Sequence, residues 1–186
     1  MIEGDYKFAF QKIIHDPRYL ENLDWGVPRA GHPEGTIRAH IAELEDNLLK
    51  LRPRLSDTDY WRLKLLIHTH DTFKPGARQG APISSPESHA SRARALLAEF
   101  CDDADLLAMV QSHDEPYAIW RQLKGKARLN QPRLEQLLKS IADWNVFMAF
   151  LIIDGCTPGK DRTPLAWFFE SVRDKVPSKF TAEDIL

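Results

Sequence analysis

Apolar residues along the chain recur at helical spacing, and Gly and Pro gather between the periodic stretches. No run of alternating β-branched residues competes with that pattern. The spacing predicts a first helix from about Asp5 to Ile14, closed before Pro17, followed by a Pro- and Gly-rich loop from Trp25 to Gly35. Thr36 suits an N-cap and opens a helix through about Leu51. Ser56 with Asp57 and Asp59 opens the next, since carboxylates suit the positive end of the helix dipole, and it ends near Asp71. A loop over Thr72 to Ser85 holds Pro75, Gly76, Gly80 and Pro82. Ser85-Pro86-Glu87 resembles a helix start and leads to about Phe100. Shorter helices are expected over Ala104 to His113 and Pro116 to Leu123, a long one from Pro132 to Gly155, and a last one from Thr163-Pro164 through about Lys175. The expected fold is all-α, a compact single-domain helical bundle over residues 1–186.

Composition fits this picture. The chain has 186 residues, 43% hydrophobic and 28% charged, with a formal net charge of −2, which allows one sizeable core and marks no nucleic-acid binder. The start, with Glu3 and Asp5, lacks the basic residues and apolar stretch of a secretory signal. The apolar run from Val146 to Ile153 is too short to span a bilayer. Cys101 and Cys156 lack CxxC partners and form no disulfide framework, so a cytoplasmic location and no membrane contact are expected.

Chemistry enters where polar residues occupy positions that a helix reserves for the core. His40 lies on the stripe Ile37, Ile41, Leu44 and Leu48. His70 extends Leu63, Leu66 and Ile67, and Asp71 borders the same face. His89 leads Ala93, Leu96, Leu97 and Phe100; His113 ends Leu106, Met109 and Val110; Asp154 ends Phe147, Phe150 and Leu151. A lone histidine of this kind is more often a core or surface group than a ligand. Four of them with two aspartates, each aimed inward, are better explained by a shared cation, because an unpaired buried carboxylate costs several kcal/mol or more. Asp154 also stands at a helix C-terminus, where the dipole repels negative charge. Nitrogen with carboxylate oxygen suits Fe, Mn, Zn, Ni or Co better than Ca. His15, at a frayed helix end, and His68, pointing away from His70, stand outside the set.

The stretch His32-Pro33-Glu34-Gly35, then His40, then Ile67-His68-Thr69-His70-Asp71-Thr72-Phe73-Lys74-Pro75 resembles the HD superfamily of metal-dependent phosphohydrolases. The similarity covers roughly Gly31 to Gly155. The resemblance implies an HD-type helical bundle whose metal ligands are His40, His70, Asp71, His89, His113 and Asp154. In a two-metal site it implies that Asp71 bridges, with His40, His70 and Asp154 on one divalent transition metal and His89 and His113 on the other. Metals roughly 3.5–4 Å apart share a water, lower its pKa and clamp an in-line displacement at phosphorus. Catalysis would then fall to Asp71 and Lys74, the lysine neutralising a phosphoryl oxygen. Many relatives carry glycine before that lysine, where this chain has Phe73.

The implied function is hydrolysis of a phosphoester or phosphoanhydride, such as that of a nucleotide, with no organic cofactor. Lys74, Arg78, Lys160 and Arg162 are the candidate substrate-binding residues. A branch of the same superfamily uses similar ligands with two irons to activate oxygen, so a di-iron oxygenase acting on a small polar substrate is the alternative. A helical binding module with a structural metal is a third reading. Nucleic-acid binding is least favoured, since Trp120-Arg121 with Lys124 and Lys126 is only a short basic patch.

Overall fold

The computed structural model describes residues 3–186; Met1 and Ile2, part of the N-terminal stretch read above for a targeting signal, lie outside the described residues. Its α-helices are α1 (Glu3–Ile13), α2 (Pro17–Leu20), α3 (Ile37–Leu51), α4 (Asp57–Thr69), α5 (His89–Ala98), α6 (Ala104–Ser112), α7 (Glu115–Lys126), α8 (Gln131–Ser140), α9 (Trp144–Gly155) and α10 (Thr163–Val172). Among the described residues the one extended pairing is an isolated bridge between Arg29 and His32. The bundle is all-α and compact, as the periodicity predicts.

Helix starts follow from short polar side chains that satisfy the otherwise unpaired first amides. Thr36 Oγ1 accepts from the Ala39 amide at 3.2 Å and opens α3; Ser56 Oγ accepts from Asp59 at 3.0 Å and opens α4. The start of α5 lies later than the Ser85-Pro86-Glu87 pattern predicts. Ser88 is the cap, accepting from the Ser91 amide at 3.0 Å while its hydroxyl donates to the Ile83 carbonyl at 2.8 Å. That tether leaves residues 85–87 as a turn and makes His89 the first residue of the helix.

The long helix expected from Pro132 to Gly155 is instead two, with the chain bending by 115° between α8 and α9. Asp143 causes the break. Its Oδ1 accepts from the amides of Asn145 (3.1 Å) and Val146 (3.3 Å), a local bonding pattern that competes with helix continuation. The break is held from outside by Asp105, which accepts from the amides of Ala142 (2.7 Å) and Asp143 (2.9 Å), and by Arg62 Nη1, which donates to Asp143 Oδ2 at 2.6 Å.

After the break, α9 is the central helix: Val146 through Ile153 are all buried, so it is apolar all round, as expected of a core helix. It packs against α3, α4 and α10, while α4 also contacts α1, α5 and α6. No single helix among the described residues is long and apolar enough to cross a membrane. The central pair matters for the site because α4 and α9 end on the same side of the bundle, delivering His70-Asp71 and Asp154 next to each other.

A tight loop precedes α3. Gly26 and Gly35 have φ of +115° and +80°, and a Cβ on Gly26 would lie 2.3 Å from the Gly35 carbonyl oxygen, so the loop folds back on itself only with glycine there. The Ile37 amide donates to the Trp25 carbonyl at 3.0 Å and the Arg38 amide to Leu23 at 2.8 Å, which docks the loop onto α3. His32 and Glu34 are thereby brought against His40.

Candidate metal centre

His70 follows the last residue of α4, and its Nδ1 lies 3.1 Å from the carbonyl oxygens of both Leu66 and Ile67. Those acceptors fix the ring proton on Nδ1 and leave Nε2 as a bare lone pair. Nε2 is buried and has no hydrogen-bond partner. His113, just after α6, repeats the device: its Nδ1 lies 2.8 Å from the Val110 carbonyl, and its Nε2 lies 3.2 Å from the Nε2 of His89. Two imidazole lone pairs cannot face each other at that distance unless a proton or a cation lies between them.

The carboxylates complete two groups. Asp154 Oδ1 is 3.0 Å from His40 Nε2 and 3.8 Å from His70 Nε2. Asp71 turns its oxygens in different directions. Its Oδ2 lies 3.5 Å from His70 Nε2 and 4.0 Å from His40 Nε2, whereas its Oδ1 lies 3.5 Å from His113 Nε2 and 3.8 Å from His89 Nε2. One set of donor atoms is therefore His40, His70 and Asp154, and another Asp71, His89 and His113; a third, His32, Glu34 and His40, shares His40 with the first, and the atoms within each set lie within 4.8 Å of one another. The donors fit a divalent transition metal: nitrogen and carboxylate oxygen converge, and buried Asp71 Oδ1 and His70 Nε2 find no other partner. These buried His/Asp groups can hold metal ions.

Compared with protein-family models, curated proteins and solved structures, the chain matches none.

The electrostatics are those of crowded opposite charges. Burial would raise Asp71, but Lys74, His70 and His113 hold it well below the usual carboxylate range. Burial would likewise raise Asp154, and Lys160 and His40 pull it well below. Among the histidines, burial lowers His70 to about 4, whereas on His113 the same burial is outweighed by Asp114 and Asp71, which lift it to about 9. Without a cation, His113 thus carries a proton at neutral pH, and a metal must displace it. Cation binding is expected to release protons, and affinity is expected to rise as pH climbs from 7 towards 9. Calorimetric titration in buffers of different ionisation enthalpy measures this; affinity independent of pH over that range contradicts it.

The remaining sequence candidates divide. Lys74 pairs with Asp71 and lines the cleft above the donors, as do Lys160, whose Nζ lies 2.7 Å from Asp154 Oδ1, and Arg78, which is exposed and pairs with Glu87 at 3.2 Å. Arg162 is not in the cleft lining; its guanidinium donates to the carbonyls of Leu186 (2.7 Å) and Cys156 (3.2 Å). Phe73 is half-buried against the core. His68 points elsewhere, between Tyr19 (2.7 Å) and Glu45 (2.8 Å), as its phase on α4 predicts.

Three residues join the site without having been assigned a place in it. Asp114 Oδ2 lies 3.2 Å from His89 Nε2, and the side chain is 46% exposed, so it is an acidic group open to the cleft. His32 and Glu34 flank His40, with Glu34 Oε1 2.9 Å from His32 Nδ1. The available signal was position: Asp114 directly follows a candidate ligand, and His32 and Glu34 stand in the motif stretch ahead of His40.

Proposed function

We propose that this chain is a metal-dependent phosphohydrolase of the HD type that cleaves a phosphoester or phosphoanhydride. The observation that carries the reading is Asp71, whose two carboxylate oxygens face separate donor groups, the arrangement a bridging ligand requires. The order of the donors along the chain, His40, His70-Asp71, His89, His113 and Asp154, supports it.

Bound divalent metals supply Lewis acidity and a nucleophile at neutral pH. The chain's own residues do the rest. Asp71 is buried and aligned by Lys74, which lines the cleft, where it can neutralise a phosphoryl oxygen as charge develops. Lys160, beside Asp154, offers a second cationic group in the cleft lining. Although burial would raise Asp114, His113 and His89 beside it hold it well below the usual carboxylate range, so it serves as their anionic partner at the cleft. The cleft volume is 2410 Å³, larger than the roughly 300–1,000 Å³ of drug-sized sites. That leaves room for a nucleotide or something bulkier, with Trp25 and Tyr117 exposed along its walls.

The test is a screen of phosphomonoesters, phosphodiesters and nucleotides with Mn(II) or Co(II) added and oxygen excluded. Phosphate or nucleotide release under these conditions is expected. Turnover only with iron, accompanied by oxygen uptake, would instead make the chain an oxygenase.

A further inference from the structure

We propose that Glu34 is a positioning residue for the metal ligand His40, acting through the far ring nitrogen; this rests on the metal-centre reading above. The other buried histidines show the problem that Glu34 solves. His70 and His113 fix their tautomers on main-chain carbonyls of the preceding helical turn. His40, the fourth residue of α3, makes no such contact with a main-chain carbonyl. Its Nδ1 is buried without an aligned hydrogen bond, and Glu34 Oε1 lies 3.1 Å away.

The surroundings of Glu34, which also groups with His32 and His40 as potential cation ligands, fit this purpose. Its side chain is 4% exposed, its Oε2 is buried without a partner, and its ion-pair partners among the described residues are the imidazoles of His32 and His40. A carboxylate so placed is costly unless positive charge reaches it. The turn at Gly35 and the anchor from His32 aim it at His40. An anion behind Nδ1 keeps the proton on that nitrogen, strengthens Nε2 as a donor and turns it towards Asp154, 3.0 Å away. The position formed by His40, His70 and Asp154 therefore gains a carboxylate behind one ligand, where His70 has only peptide carbonyls.

The test is titration of Mn(II) and Co(II) into metal-free wild type, Glu34→Gln, Glu34→Ala and His40→Ala, with thermal melts of each metal-free protein. Glu34→Gln keeps the shape and an acceptor oxygen but removes the charge. It is expected to weaken one of the cation-binding events by about 10–100-fold, with an unchanged metal-free melting temperature. Glu34→Ala is expected to weaken the same event at least as much. In the His40→Ala background, Glu34→Gln is expected to have no further effect, because the two act in series. Wild-type affinity in both Glu34 variants overturns the proposal, as does an undiminished effect of Glu34→Gln without His40, or a drop in metal-free stability large enough to account for the weaker binding. If wild type itself takes up no cation, the underlying reading of the site falls as well, so the two failures are told apart.

Discussion

Replacing Asp71 by Ala is expected to remove both cation positions at once and to take phosphate release down to background. The reason is geometric. Asp71 Oδ2 belongs with His70 and His40, and Oδ1 belongs with His113 and His89, so one substitution strips an oxygen donor from each group. No neighbouring carboxylate can substitute: Asp154 is committed to the His40 side, and Asp114 to the His89 side. Loss of a partner that merely orients a ligand costs about 10–100-fold in metal affinity, and loss of a shared ligand is expected to exceed that range for both ions. The metal-free variant should keep its helical fold, because Asp71 lies beyond the last residue of α4 and adds no apolar packing, but loss of its buried pair with Lys74 is expected to lower the melting temperature. Metal titration together with circular dichroism reads both halves of this expectation. A variant that loses one ion and keeps the other at wild-type affinity would show that Asp71 is not shared.

Arg62→Ala is expected to be the most damaging change away from the site, lowering stability by about 3–5 kcal/mol, the usual result of removing one partner from a buried ion network. The Arg62 side chain is 8% exposed and hydrogen-bonds three carboxylates, Asp103 at 3.1 Å, Asp105 at 3.3 Å and Asp143 at 2.6 Å, with Asp59 a fourth at 4.0 Å. Asp103 also caps α6 and accepts from the Tyr6 hydroxyl at 2.8 Å, while Asp143 caps α9. Without the guanidinium, three carboxylates crowd together at the starts of two core helices. Urea unfolding of the metal-free protein measures the effect; a loss below about 1 kcal/mol, the scale of exposed pairs, would mean that the network contributes little.

The same network explains where sequence reasoning stopped. From Trp144 to Ile153 almost every residue is apolar and buried, so no stripe marks one face and periodicity cannot show where the helix begins. The start is set by Asp143, and Asp143 is held by Arg62 and Asp105, residues far away along the chain. No local rule sees that. By contrast, His40, His70, His89, His113 and Asp154 were legible because each sits on or at the end of a helix whose apolar face has a definite phase. That phase also separated His68 from His70 correctly. Glu34 and His32 lie in a glycine-rich loop with no period, so nothing in the pattern could aim their side chains at His40. Asp114 occupies the junction of α6 and α7, where helical phase is interrupted, and its place beside His89 depends on how those two helices meet.

The most direct measurement is the metal content of the protein after equilibrium dialysis against Mn(II) or Co(II), determined by elemental analysis for wild type and Asp71→Ala side by side. Wild type is expected to retain two ions per chain, one at His40, His70 and Asp154 and one at Asp71, His89 and His113, and Asp71→Ala none. A wild-type chain that retains no transition metal, or an Asp71→Ala chain that retains as much as wild type, would contradict the account.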